Sequence, residues 1–179
     1  ETGVLKNLVI DESCSLTPDL TTTNQHIGLM VGYGLGLVEG CVNNADVTIN
    51  SSVTVDDTRF GLIVASGYGH IKNCINNGDF ICNFAVVDQY VYIGGLVGYY
   101  NPAGSFHGTT FIEDCINNGC VKVTVDDIPK RCTVGGLIGS TTLSVQYTTV
   151  DGKNEPVAVT NEGTISRCYN NGEVSYHIN

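Results

Sequence analysis

A chain of 179 residues with 42% hydrophobic content is long enough for one domain with a buried core, and 18 acidic against 8 basic residues leave a net charge of −10. So acidic a surface repels nucleic acid and anionic lipid. The most apolar stretch, Ile27 to Val38, is interrupted by glycine and falls short of the roughly 18 residues needed to cross a bilayer, so neither nucleic acid nor membrane contact by this fragment is expected.

In chain order, Glu1-Thr2-Gly3 reads as an expression-vector remnant, which leaves residues 4–179 as a single domain. "LKNLVIDESCSL" from Leu5 reads as the end of an earlier coil. Matching Lys6-Asn7-Leu8 to Lys72-Asn73-Cys74 puts Leu8 at a recurring cysteine position and Cys14 six places later at an inward one. Two motifs then alternate. One is glycine-centred: "IGLMVG" from Ile27, "FGLIVA" from Phe60, "IGGLVG" from Ile93 and "VGGLIG" from Val134. The other is "CVNNA" from Cys41, "CINNG" from Cys74 and from Cys115, and "CYNNG" from Cys168. The step from cysteine to the next motif glycine never changes: Cys41 to Gly61, Cys74 to Gly94 and Cys115 to Gly135 are equally long. From glycine to the next cysteine the step grows, from Gly28 to Cys41 and Gly61 to Cys74, through Gly94 to Cys115, to Gly135 to Cys168. The basic unit is thus the 33-residue interval from Cys41 to Cys74, lengthened by 8 and then by 20 at one point, just after the glycine motif. Asn179 falls soon after Cys168, inside a coil, so the sequence reads as a fragment of a longer protein.

A repeat of this size means a solenoid, propeller or array. Valine, isoleucine, threonine and tyrosine without helical periodicity indicate strands. Val47 and Ile49, Phe80 and Cys82, Val121 and Val123, and Val174 and Tyr176 alternate with period two, which aims them all at one interior. A propeller blade needs more chain than the unit holds, whereas a coil of about three short strands fits. The expected architecture is all-β, a parallel β-helix (β-solenoid) of about four coils of a 33-residue repeat with insertions at one corner. Each Asn-Asn-Gly should be a corner where asparagine or glycine takes positive φ and amides bond up the stack. Val38, Ile71, Ile112 and Ile165 lie three places before the cysteine, an odd step that requires a bulge or corner if both point inward.

"GGLVG" followed by "FIEDCINNG", and "GGLIG" followed by "TISRCYNNG", resemble the GLUG motif of large microbial surface and secreted proteins. The likeness spans Val4 to Tyr176, with Leu29 and Leu62 replacing the second glycine in the first two copies. The resemblance implies that the parallel β-helix is right-handed and belongs to an extracellular, adhesin-like protein, and it brings no catalytic residues.

Eight cysteines suit an oxidising compartment and allow on the order of a hundred pairings. Cys41, Cys74, Cys115 and Cys168 share one position and should form a vertical file. Rung spacing permits disulfides between them, while parallel side chains favour buried free thiols. Cys82 falls inward, Cys132 shares its register with Val91, and Cys120 matches the outward Asp46, Asp79 and Glu173. Metal ligation is not expected, since no C-x2-C pair or cysteine–histidine cluster occurs, and no cofactor is implied. Asp56-Asp57, Asp88 and Asp126-Asp127 recur at one turn, where they could hold Ca²⁺ or act as acid and base, or simply make turns. His70 shares the register of Leu37, and His107 lies in an insertion; neither belongs to a catalytic motif.

The insertions, "YYNPAGSFHGTT" from Tyr99 and the segment from Ser140 to Gly163, should emerge as neighbours on one side. Tyr99, Tyr100, Phe106, His107 and Tyr147 are the candidate ligand contacts, and Asn50 of Asn50-Ser51-Ser52 is the candidate glycosylation site. The expected function is a non-catalytic extracellular surface domain that binds a host or partner protein or a glycan through these loops. The alternatives are a polysaccharide-cleaving enzyme and a passive stalk.

Overall fold

The computed structural model describes residues 3–34, 36–101, 110–141 and 163–179, together with the backbone of 146–150 and 153–157. Among the described residues every regular element is a strand. The chain opens with β1 (Val4–Lys6), β2 (Val9–Ile10), β3 (His26–Gly28) and β4 (Val31–Gly34). The next turn lays down β5 (Leu37–Glu39), β6 (Val42–Asn43), β7 (Val47–Val55), β8 (Arg59–Gly61) and β9 (Val64–Gly67). The third repeats it as β10 (His70–Lys72), β11 (Ile75–Asn76), β12 (Phe80–Val87), β13 (Val91–Gly94) and β14 (Val97–Tyr100). Then come β15 (Phe111–Glu113), β16 (Ile116–Asn117), β17 (Val121–Val125), β18 (Cys132–Gly135) and β19 (Ile138–Thr141). An antiparallel hairpin, β20 (Gln146–Val150) and β21 (Lys153–Val157), precedes β22 (Thr164–Ser166), β23 (Tyr169–Asn170) and β24 (Val174–Ile178).

Equivalent strands pair in parallel to make five sheets along one axis: β1-β5-β10-β15-β22, β2-β6-β11-β16-β23, β7-β12-β17-β24, β3-β8-β13-β18 and β4-β9-β14-β19. The molecule is a parallel β-helix, with five strands per full turn rather than the three expected. The difference arises because very short strands such as β6 and β11 follow their predecessors after only a turning residue and the motif cysteine. Register follows the sequence repeat. Ile75 pairs with Val42 and with Ile116, and Phe80 with Val47 and Val121.

That turning residue accounts for the odd step before each cysteine. Asn7, Gly40, Asn73, Asp114 and Arg167 hold φ of 57°, 66°, 54°, 53° and 52°, the left-handed region that glycine, asparagine and aspartate enter most readily. Turning there lets Val38 and Cys41, or Ile71 and Cys74, both face the core and remain buried. The positive-φ corner thus precedes the cysteine and does not fall in Asn-Asn-Gly, as the sequence suggested. Glycine serves a different purpose in that motif: a Cβ on Gly119 would lie 1.9 Å from the carbonyl oxygen of Gly78 in the coil beneath.

The two asparagines do form ladders. Asn43 Nδ2 donates to Asn76 Oδ1 at 2.7 Å, Asn76 to Asn117 at 2.6 Å and Asn117 to Asn170 at 2.7 Å. Each of these Nδ2 groups also donates to a carbonyl two places on, as Asn76 does to Gly78 at 2.8 Å. Asn43, Asn76 and Asn117 are wholly buried. The outer asparagines donate the other way, Asn77 to Asn44, Asn118 to Asn77 and Asn171 to Asn118, each at 2.8 Å and exposed. The inner ladder explains the double glycine of the later motifs, because a Cβ on Gly95 would meet Asn117 and one on Gly136 would meet Asn170. Leu62, at the same place one turn earlier, packs into the core.

The apolar core has two parts. Phe60, Phe80, Phe84, Val91, Ile93 and Val121 pack between the third and fourth sheets. Val38, Ile63, Leu96, Val97, Tyr100 and Ile112 pack behind the first and fifth, together with the cysteine file. The first turn departs from the pattern although its length matches. Residues 11–25 form no strand, because Asp11 and Asp19 accept bonds from Ser13 and Thr21 in local turns that compete with a ladder. Leu20 and Leu16 pack against the core instead, and Cys14, expected inward, is exposed.

Asn76→Ala removes a buried group that accepts one ladder bond and donates two others, so it should destabilise the fold by roughly 1–3 kcal/mol. Asn77→Ala, on the exposed ladder, should stay within about 0.5 kcal/mol. Urea unfolding of the two variants checks the contrast; equal losses would mean that the inner ladder holds nothing the outer one does not.

Candidate functional site: an aromatic face beside the loop corner

Both insertions leave the coil between the fifth and first sheets, one joining β14 to β15 and the other β19 to β22. Their roots are stacked, since Tyr100 pairs with Thr141 and Phe111 with Thr164. The turns beneath make the same connection through Gly67-Tyr68-Gly69, where a Cβ on either glycine would strike Gly34 or Gly36. All added length therefore emerges at one edge, as the repeat spacing required.

The outer surface of the fourth and fifth sheets adjoins that edge. In the fourth sheet, His26, Arg59, Tyr92 and Thr133 lie in register. In the fifth, Tyr33, Ser66, Tyr99 and Ser140 do the same. Aromatic rings connect the two columns. His26 meets Tyr33 edge-on at 5.2 Å, and Tyr33 meets Tyr68 at 5.8 Å. Two coils above His26 and Tyr33, Tyr90, Tyr92 and Tyr99 follow one another around the rung, with centroids 6.4 and 5.1 Å apart and planes tilted by 38° and 33°. The Arg59 guanidinium carbon lies 5.9 Å from the Tyr92 centroid and 5.8 Å from that of Tyr99. Arg131 sits 4.8 Å over Tyr90.

Arg59 is fixed from below by an ion pair with Asp57 at 2.9 Å and by a bond donated to Asn24 Oδ1 at 2.9 Å. Its Nε and His26 Nδ1 are buried and lack hydrogen-bond partners among the described residues. Burial pushes the Tyr33 phenol up to about 12, helped by its contact with Tyr68, and raises Tyr92 with help from Tyr99. Burial, with Arg59 nearby, lowers His26 and favours the neutral ring. The face thus presents neutral hydroxylated rings and two guanidinium groups on an otherwise acidic molecule.

Of the residues singled out from sequence, Tyr99 belongs to this face. Tyr100 does not. Its ring is buried in the second core cluster near Gly67 and Gly69, and its hydroxyl lies 3.4 Å from the Gly69 carbonyl, so it is unavailable as a surface contact. Phe106 and His107 lie outside the described residues, as does the side chain of Tyr147 on β20. Asn50 is exposed on β7, its Oδ1 accepting from Asn83 Nδ2 at 2.8 Å, and β7 bulges against β12 just beyond it. His70 stacks on Phe111 at 4.2 Å.

Most of the carboxylates singled out are committed to local partners. Asp57 binds Arg59, Asp88 pairs with Lys130, Asp126 accepts from Asn179 at 2.7 Å and Asp127 from the Ile128 amide at 2.7 Å. Asp56 differs in having a buried Oδ1 with no hydrogen-bond partner among the described residues. Among those residues no three histidine, cysteine or acidic side chains stand together as metal ligands.

All eight cysteines are free thiols in this structure. Cys41, Cys74 and Cys115 stack fully buried, and Cys168 continues the file half-buried. Each Sγ points toward the carbonyl two places before it, at 3.5, 3.3, 3.1 and 3.3 Å respectively. Burial raises the Cys41 and Cys82 thiols, which suppresses the reactive thiolate. Cys132 is only partly exposed and packs against the core near Cys82, while Cys120 is half-exposed, its amide donating to Asp79 at 2.8 Å.

Sequence reasoning passed over His26, Tyr33, Arg59, Tyr68, Tyr90, Tyr92 and Arg131. The available signal was position: four of them flank the glycine motif on the outward phase of its two strands.

Comparisons with protein-family models, curated proteins and solved structures return no match for this chain.

Two chemical outcomes are expected. In a maleimide pulse read by mass spectrometry, Cys14 should label rapidly, whereas Cys41, Cys74, Cys82 and Cys115 should label only after denaturation. Rapid native labelling of the four would contradict their burial. In an alkaline titration followed by tyrosinate absorbance, Tyr33→Phe should remove a late step near pH 12. Because the folded state holds this proton more tightly than the unfolded chain, the contribution of Tyr33 to stability should decline as pH rises from about 10 toward 12.

Proposed function

We propose that this chain is a non-catalytic, extracellular, adhesin-like domain whose β-helix presents a binding surface to a partner protein or a glycan along its loop-bearing side. The observation that carries the reading is the position of both insertions: they leave at one corner, one coil apart, directly beside an aromatic and arginine-bearing face. A rigid stack that puts all variable length at one edge favours recognition there. The likeness to GLUG repeats and a sequon at an exposed asparagine support an extracellular setting. Asn50 is the proposed acceptor, its Nδ2 being the atom to which a glycan would attach.

The polysaccharide-cleaving alternative requires two carboxylates roughly 5–10 Å apart in a groove. The pairing of Asp57 with Arg59 and of Asp88 with Lys130 speaks for turn and surface roles instead.

The test is a binding screen against cell-surface proteins and glycans with the intact chain and with a variant whose Ser140–Gly163 segment is shortened to the loop-free connection of the earlier coils. Binding should fall at least tenfold in the shortened variant while its unfolding midpoint stays unchanged. A ligand bound equally by both would refute loop-side recognition, and the absence of any ligand would favour a stalk.

A further inference from the structure

The rung that carries Tyr90, Tyr92 and Tyr99 differs from the rest of the surface. Three hydroxylated rings follow one another at 6.4 and 5.1 Å, the closer pair partly overlapped, and the row ends where the chain enters its first insertion. Tyr92 is fixed from below by Arg59, which is itself anchored by Asp57 and Asn24, so the row is ordered before anything binds.

The charges are distributed unevenly. Of the three arginines, Arg59 pairs with Asp57 and Arg167 with Asp114 and Glu113. Arg131 is exposed at the open end of the row, stacks on Tyr90, and has no carboxylate within salt-bridge distance among the described residues. On a chain of net charge −10 an exposed cation with no counter-ion among the described residues is conspicuous. Stacking on the ring leaves the guanidinium edge directed at incoming ligand oxygens.

The geometry points to this rung as a binding site for an anionic oligosaccharide, with a pyranose packed against the tyrosine row and a carboxylate or sulfate held by Arg131. The inference rests on the binding-domain reading and names its ligand class. A pyranose offers what the row accepts: an apolar C–H face for an aromatic ring and hydroxyls at its rim for the phenols. A folded protein partner would need a broader, flatter patch than one rung supplies.

The experiment uses the full chain on an array of uronic-acid, sialylated, sulfated and neutral oligosaccharides, with Kd values then measured by calorimetry at low and high salt. Binding to a carboxylated or sulfated member is expected, and the array separates these two sources of negative charge. Affinity should fall at least fivefold in Arg131→Gln and at least tenfold in Tyr92→Ala. The loss in Arg131→Gln should shrink as salt rises. Since Tyr92→Ala could disturb packing, the exposed Arg131 variant, with unchanged thermal unfolding, keeps the test decisive. Preference for neutral sugars, equal binding by Arg131→Gln, or no glycan binding at all would overturn the proposal. Capture of a cell-surface protein that still depends on the Ser140–Gly163 loop would also overturn it, while leaving loop-side recognition intact.

Discussion

Parallel pairing of one coil on the next is the constraint from which the rest follows. Each backbone rung hydrogen-bonds to its neighbours in a fixed register, so a side chain at one position must tolerate the same kind of side chain directly above and below it. Thiols accept this as small hydrophobes with a carbonyl in reach. Primary amides accept it better, since each carries a donor and an acceptor. Glycine is forced where the stack closes to backbone contact. Repetition in the sequence is therefore the direct image of translation along an axis, and insertions are tolerated only where the chain can leave and return without disturbing any rung.

Most of the scaffold could be read from the letters for that reason. The constant step from cysteine to glycine and the common position of Cys41, Cys74, Cys115 and Cys168 revealed the stacking, the thiol file and the single edge of insertion. Equal length misled once. The step from Leu8 to Gly28 matches that from Cys41 to Gly61, yet residues 11–25 turn on Asp11, Pro18 and Asp19 and form no strand, so Cys14 faces solvent. The strand count and the position of the left-handed corner were out of reach because a lone turning residue beside a very short strand has no periodicity to betray it. Its occupants, Asn7, Gly40, Asn73, Asp114 and Arg167, share a backbone conformation more than a chemistry.

The aromatic face was harder to foresee. Its columns carry unlike residues from rung to rung, as in His26, Arg59, Tyr92 and Thr133, because outward positions are free of the stacking rule. The rings come together only when two sheets meet at an angle, which places Tyr92 against Tyr99 across a turn. Tyr100, adjacent in sequence to Tyr99, goes to the core instead because glycines in the turn below make room for its ring. A scaffold under strict translational constraint thus leaves its outward phase and its loop edge as the places where individuality can be written.

The two asparagine ladders run antiparallel in their hydrogen bonding: the inner one donates toward the later coils and the outer one toward the earlier. Their amide dipoles oppose each other, unlike the aligned peptides of a helix, whose polarity accumulates along its axis. Such a stack builds up little axial field from its asparagine amides, and an added coil extends both ladders without accumulating an amide dipole at either end.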